Sequence, residues 1–277
     1  MAETYAIYKS LSEPVFYMLP VAHVQVNGVN VGNLKSAIKR VINEEMKICV
    51  EVEKKLKKED ELKVERVIKS TQMAISKYIE LEYYLILAEY LNIKSEIREM
   101  VYNNYTPYFL YELINKKYMT MKFASYNAID DELVNLRADL SPIKLQSAAE
   151  IADIVYSSLL NKEEWKSVLM SQINFINCKE CIERYFYLLD KTTKYTFQNS
   201  NVELSRNYAK KMAEFSGNLF IHNLFVSKER NELLADRVIE FSKDDKCNVF
   251  IIGSAHFGGD YGLDKMVPNV KMIAIEY

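Results

Sequence analysis

The chain has 277 residues, 49% of them hydrophobic, enough to bury a sizeable core within one domain spanning 1–277. Its 36 Lys+Arg against 38 Asp+Glu leave a formal net charge of −2, so the basic footprint of a nucleic-acid binder is missing and no nucleic-acid partner is expected. No apolar run approaches the ~20 residues that cross a bilayer, and no basic-then-apolar leader opens the sequence; the expectation is a cytoplasmic protein with no membrane span.

Taken in chain order, the first strong signal is "PVFYMLPVAHV" at 14 to 24, a short apolar run of the kind that suits a strand buried on both faces. It ends at His23, and Gly28 and Gly32 follow. "VGNLKSAIKRVINEEM" then repeats Leu34, Ile38, Val41 and Ile42 at helical spacing, and "KICVEVE" at 47 to 53 reads as a second strand carrying Glu51 and Glu53. Strand, helix, strand predicts a parallel crossover.

From 54 to 246 the pattern becomes mainly helical, beginning with "EKKLKKEDELKVERV" and running through "MAISKYIELEYYLILAEYL". Pro107 and Pro142 mark joints, and the Leu, Ile and Tyr stripes read as helix packing. His222, among the apolar residues of "NLFIHNLFV", reads as a packing residue too. Four cysteines are too few for a disulfide framework at this length, so reduced thiols are expected. The "CKEC" at 178 to 181 has zinc-ligand spacing but no second half-site.

A last helix, "SKERNELLADRVIEFSK" at 227 to 243, leads into "NVFIIGSAHF" at 248 to 257 and "VKMIAIEY" at 270 to 277, both strand-like. The expected fold is therefore α/β: a small, mostly parallel sheet formed from both chain ends (1–53 and 248–277), with a large helical insertion packed around it. Six of the seven glycines lie near His23 or His256. Ligands of a parallel sheet bind beyond the carboxyl ends of its strands, where both histidines fall. Two imidazoles and the Glu51 carboxylate are donors for a divalent metal such as Zn, Mn or Co, with positions left for water. Glu53, two residues along the same strand, shares the face of Glu51 and is the alternative. Asp260 and Asp264 read as turn and cap residues. The glycines follow a histidine and do not form G-x-G-x-x-G at a strand-helix turn, which argues against a dinucleotide site.

The segment "FIIGSAHFGGDYGLDKM" resembles the C-terminal signature of the TraB/GumN/Tiki family: a glycine, two residues, a histidine, then G-x-x-G-L before a final strand. "ERNELLADRVIEF" is similar to that family's Arg-Asn helix, with Arg230 and Asn231 on the matching positions. "VFYMLPVAHV" and "ICVEVE" resemble its first two strands, with Pro20 where the family has glycine and Val21 where it has threonine. The likeness covers about a third of the chain and reaches the middle only through "NAIDDELVNLRA". It implies kinship with the wider ChaN-like and erythromycin-esterase-like group and an activity as a metal-dependent hydrolase or metalloprotease on a peptide or small-molecule substrate. In that role His23 and His256 would bind the metal, Glu51 would be either a third ligand or the base that takes a proton from bound water, and Arg230 would stabilise an oxyanion or carboxylate. The alternative is an inactive binding or effector domain on the same scaffold, taking haem or a protein ligand; a homo-oligomer suits either.

Overall fold

The computed structural model describes residues 3–22, 29–42, 47–52, 58–122, 129–137 and 142–277. Six strands in these residues form one sheet: β1 (Thr4–Ser10), β2 (Tyr17–Val21), β3 (Ile48–Val52), β4 (Ile143–Gln146), β5 (Val249–Gly253) and β6 (Val270–Glu276), in the order β4-β3-β5-β2-β1-β6. The sequence "VFIIG" of β5 is apolar throughout because the strand is buried at every residue, between β3 and β2 and parallel to both. Val249 faces Tyr17 on one side and Ile48 on the other. β4 continues the parallel array beyond β3, whereas β1 runs antiparallel to β2 and to β6.

The expected mostly parallel sheet from both chain ends is therefore present. Two strands are additional to those expected: β1, and β4 inside the segment read as helical. The run at 14 to 24 is shorter than expected, β2 covering only Tyr17–Val21. Pro20 is accommodated within it, and its carbonyl accepts the Tyr5 hydroxyl at 2.6 Å.

Alternation along β5 sorts the core onto two faces. Val249 and Ile251, with Leu19, Val21, Tyr5 and Ile7, pack on one side against Leu34 and Ile38 of α1 (Val31–Val41). Asn30 caps that helix, its side chain accepting from Asn33 N. Phe250 and Ile252, with Met18 and Tyr8, pack on the other side against Leu234 and Val238 of a helix near the C-terminus. Burying each such side chain contributes about 1.5–3 kcal/mol, so both covering helices are held by the sheet.

The intervening helices are α2 (Lys58–Ile68), α3 (Leu81–Tyr90), α4 (Ser95–Asn104), α5 (Pro107–Lys122), α6 (Ile129–Val134), α7 (Ala148–Ser158), α8 (Lys162–Ile176), α9 (Lys179–Phe197), α10 (Val202–Phe215) and α11 (Leu219–Phe225). Pro107 stands at the first helical position of α5, where a missing N–H costs nothing. Ser147 and Glu150 form a reciprocal capping box on α7. α12 (Lys228–Lys243) and the short α13 (Leu263–Met266) complete the set. Helix, 3-10 turns included, makes up 63% of the described residues, well above the typical ~30–35%.

The expectation of free thiols is not met. Cys49 of β3 is joined to Cys247, just before β5, and Cys178 to Cys181 at the start of α9. The first pair is 198 residues apart in sequence, and only the adjacency of β3 and β5 brings it together. The second uses both sulfurs of "CKEC", which removes it as half of a zinc site.

Candidate functional site

Strands β2, β3 and β5 leave the sheet at a common rim, since Val21 pairs with Gly253 and Val50 with Ile251. Glu51 stands near the end of β3. Beyond Gly253 the chain makes a single 3-10 turn, Ser254–His256, which returns His256 over the strand ends. Arg230 arrives from the first turn of α12, where Ser227 Oγ accepts from Arg230 N at 3.2 Å and so fixes the start of the helix. Three residues far apart in sequence thereby meet. Arg230 Nη2 donates to Glu51 Oε1 at 2.6 Å, Arg230 Nη1 lies 3.2 Å from His256 Nε2, and His256 Nε2 lies 3.3 Å from Glu51 Oε1. All three are buried, at 7%, 6% and 3% exposure for Glu51, Arg230 and His256.

The surrounding partners define the state of the ring. Asn231 Nδ2 donates to Tyr261 O at 2.6 Å and to His256 O at 3.4 Å, which turns its Oδ1 toward His256 Nδ1 at 2.5 Å. An amide oxygen only accepts, so Nδ1 carries the proton and a neutral ring offers its lone pair at Nε2. That lone pair faces Glu51 and Arg230. The remaining Glu51 oxygen, Oε2, accepts Gly253 N at 2.8 Å. Arg230 also donates from Nε to Gln146 Oε1 at 2.9 Å and from Nη1 to Phe225 O at 2.6 Å. One buried positive charge and one buried negative charge thus neutralise each other, which keeps the desolvation cost of both within reach of their hydrogen bonds.

Of the residues expected at the site, Glu51 and His256, read from the strand ends, and Arg230, placed there only by the family resemblance, lie together. His23 and Glu53 lie outside the described residues; β2 ends at Val21, on the same rim. Asp264 lies in the first turn of α13, its Oδ1 accepting from Gly258 N at 2.7 Å. The glycine loop folds mainly onto itself. Gly258 and Gly259 have φ of +71° and +67°, and a Cβ on Gly262 would meet Gly258 N at 2.5 Å. These glycines build the turn that carries His256.

An imidazole lone pair 3.3 Å from a carboxylate oxygen is a donor pair that one divalent ion can share. Arg230 already donates to the same two atoms, so an ion enters only as the guanidinium withdraws. Among the described residues no third His, Cys, Asp or Glu joins the pair. Gln146 was not expected here; it comes from β4, whose four residues "IKLQ" are too short to announce a strand. Behind Ser254, the hydroxyls of Thr196, Ser205 and Ser254 bond one another, 2.6 Å apart for Thr196 and Ser205, and brace the turn.

No protein-family model matches this chain, and neither the curated proteins nor the solved structures yield a match.

Proposed function

We propose that the strand-end cluster is the centre of a hydrolase acting on a peptide, ester or amide bond, of the kind the TraB/GumN/Tiki resemblance implies, with a divalent metal ion held by His256 and Glu51 and completed by His23. The observation that carries this reading is the fixed tautomer of His256: Asn231 holds Nδ1, which directs Nε2 to the Glu51 carboxylate and the Arg230 guanidinium. Metal-binding histidines are held in this manner by a partner on the other ring nitrogen. When bound, the ion would bring the pKa of a coordinated water to about 7.

The chain's own residues then have defined parts. Asn231 orients the imidazole. Glu51, whose Oε2 is held by Gly253 N, would use Oε1 either to hold the ion or, with the ion on the histidines, to accept the proton of a water. Arg230, released from Nε2, keeps its Nε on Gln146 and offers its terminal nitrogens to the oxyanion that develops on the substrate carbonyl.

Burial favours a second reading, a binding or effector domain without catalysis. A cluster exposed by 7% or less and neutral in sum is already satisfied without a substrate. Elemental analysis and an absorbance spectrum of the protein as purified, followed by turnover of peptide and ester libraries, separate the two. About one equivalent of transition metal, lost in His256→Ala together with hydrolysis, is the expected result. Neither metal nor turnover in a folded protein overturns the hydrolase, and a Soret band redirects the site to haem.

A further inference from the structure

The helical body holds a cavity of about 610 Å³ that the strand-end cluster does not use. This is within the ~300–1,000 Å³ typical of small-molecule sites. Met119 of α5, Met212 of α10 and Phe225 of α11 supply an apolar wall. Methionine and a phenyl face adapt to a chain or a ring of varied shape.

Most polar groups on the wall are already engaged. Asn218 Oδ1 and Ser216 O both accept from Gln172 Nε2, at 2.9 and 2.8 Å. Tyr111 pairs with Asn115, and Glu112 with Tyr108. Thr120 Oγ1 donates back to Lys117 O at 2.9 Å. Two side chains stand apart. Lys116 makes no ion pair or hydrogen bond with a described residue, and the ring of His222 makes no hydrogen bond with one. Both line the same space, one a cation and the other a neutral imidazole with an N–H to give.

The local field decides what they would receive. Burial, then Arg206, His256 and Lys210, hold the His222 pKa down to about 4. Burial, the largest of these causes, disfavours any charge there; the cations Arg206 and Lys210 are what draw an anion toward the His222 N–H. Glu112, the carboxylate on the wall, is itself raised from its ordinary value by burial while Tyr108 donates to it, which weakens its opposition.

We propose that this cavity binds a small apolar carboxylic acid, its chain or ring against Met119, Met212 and Phe225 and its carboxylate directed to Lys116 and His222. The inference does not require the hydrolytic reading: Phe225 gives its carbonyl to Arg230 Nη1, but Lys116 and His222, which would hold the carboxylate, have no part in the strand-end cluster.

Titration calorimetry with octanoate and 4-phenylbutyrate, and with the matching alcohols, tests it on the full chain. The acids should bind at least about tenfold more tightly than the alcohols, the scale of one charge-assisted hydrogen bond. Lys116→Met and His222→Leu should each weaken the acids by roughly tenfold and leave the alcohols unchanged. Ala209→Phe, or Met212→Trp should the first variant lose its helical circular dichroism, should abolish both. Equal binding of acid and alcohol, binding that survives the filled cavity, or no binding of the acids to the folded protein would each overturn the proposal.

Discussion

Removing Arg230 leaves a carboxylate buried without its cation, and the cost can be worked from the contacts. Arg230→Met keeps most of the side-chain volume but withdraws the donors to Glu51 Oε1, Gln146 Oε1 and Phe225 O and the contact with His256 Nε2. Glu51, 7% exposed, then keeps Gly253 N as its nearest donor from the β5 end. Breaking a buried pair from one side costs about 3–5 kcal/mol, against a total stability of about 5–15. With a urea dependence of about 2.5 kcal/mol per molar, a loss of about 4 kcal/mol lowers the unfolding midpoint by roughly 1.5 M. Glu51→Leu should cost a similar amount for the converse reason. The double variant removes both charges, so it should be more stable than the sum of the two losses by about 2 kcal/mol or more. Urea unfolding followed by circular dichroism of all four proteins closes the cycle. A midpoint for Arg230→Met within about 0.3 M of the parent, or strictly additive losses, would refute a buried, mutually neutralising pair.

Three further outcomes follow from single observations. The His222 ring should titrate near 4 by carbon-proton NMR. Its folded value lies below the ordinary 6.5, so the stability it contributes is complete above 6.5 and lost as the pH falls toward 4; a midpoint at 6.5 would mean a solvated ring. Glu150 is held down to about 2, first by the Arg237 hydrogen bond and then by Ser147, so its contribution is present above about 4.5 and lost as the pH falls through 2. Glu150→Gln should flatten that part of the stability profile, and an unchanged profile would contradict the pairing. Finally, thiol titration of protein purified without reductant should find no free cysteine, and Cys247→Ser should cost up to about 5 kcal/mol for a loop of 198 residues. Four reactive thiols in that preparation would restore the expectation of a reducing compartment.

Much of the sheet was legible because β3, β5 and β6 are bounded apolar runs. β1 was not, since "TYAIYKS" buries tyrosines on both faces and looks like an ordinary aromatic-rich terminus. β4 was too brief, and with it went Gln146. The histidine-strand-end logic did place Glu51 and His256 together, because strand direction fixes which end faces the ligand side, while Arg230 was suggested only by the family resemblance. It could not foresee that Arg230 lies between the two presumed ligands. Nor could it foresee the bridge from Cys49 to Cys247, which depends on β5 inserting beside β3 and on no local pattern. His222 looked like packing because its neighbours in sequence are apolar; the cavity beside it is assembled from α5, α10 and α11.

The sheet order has a consequence for synthesis. β5 occupies the centre, yet it is made after every other strand of the sheet but β6. As the chain leaves the ribosome, β2 and β3 have no neighbour between them until about residue 253 has emerged, while the helices from 58 to 243 can already close on one another. Two exposed strands must therefore wait on a helical body for their shared partner. A nascent chain halted before β5 should be helical, with the β1-β2 and β3-β4 pairs as two separate pieces of sheet, and release of the remaining residues should complete the sheet, the strand-end cluster and the long-range disulfide in one step.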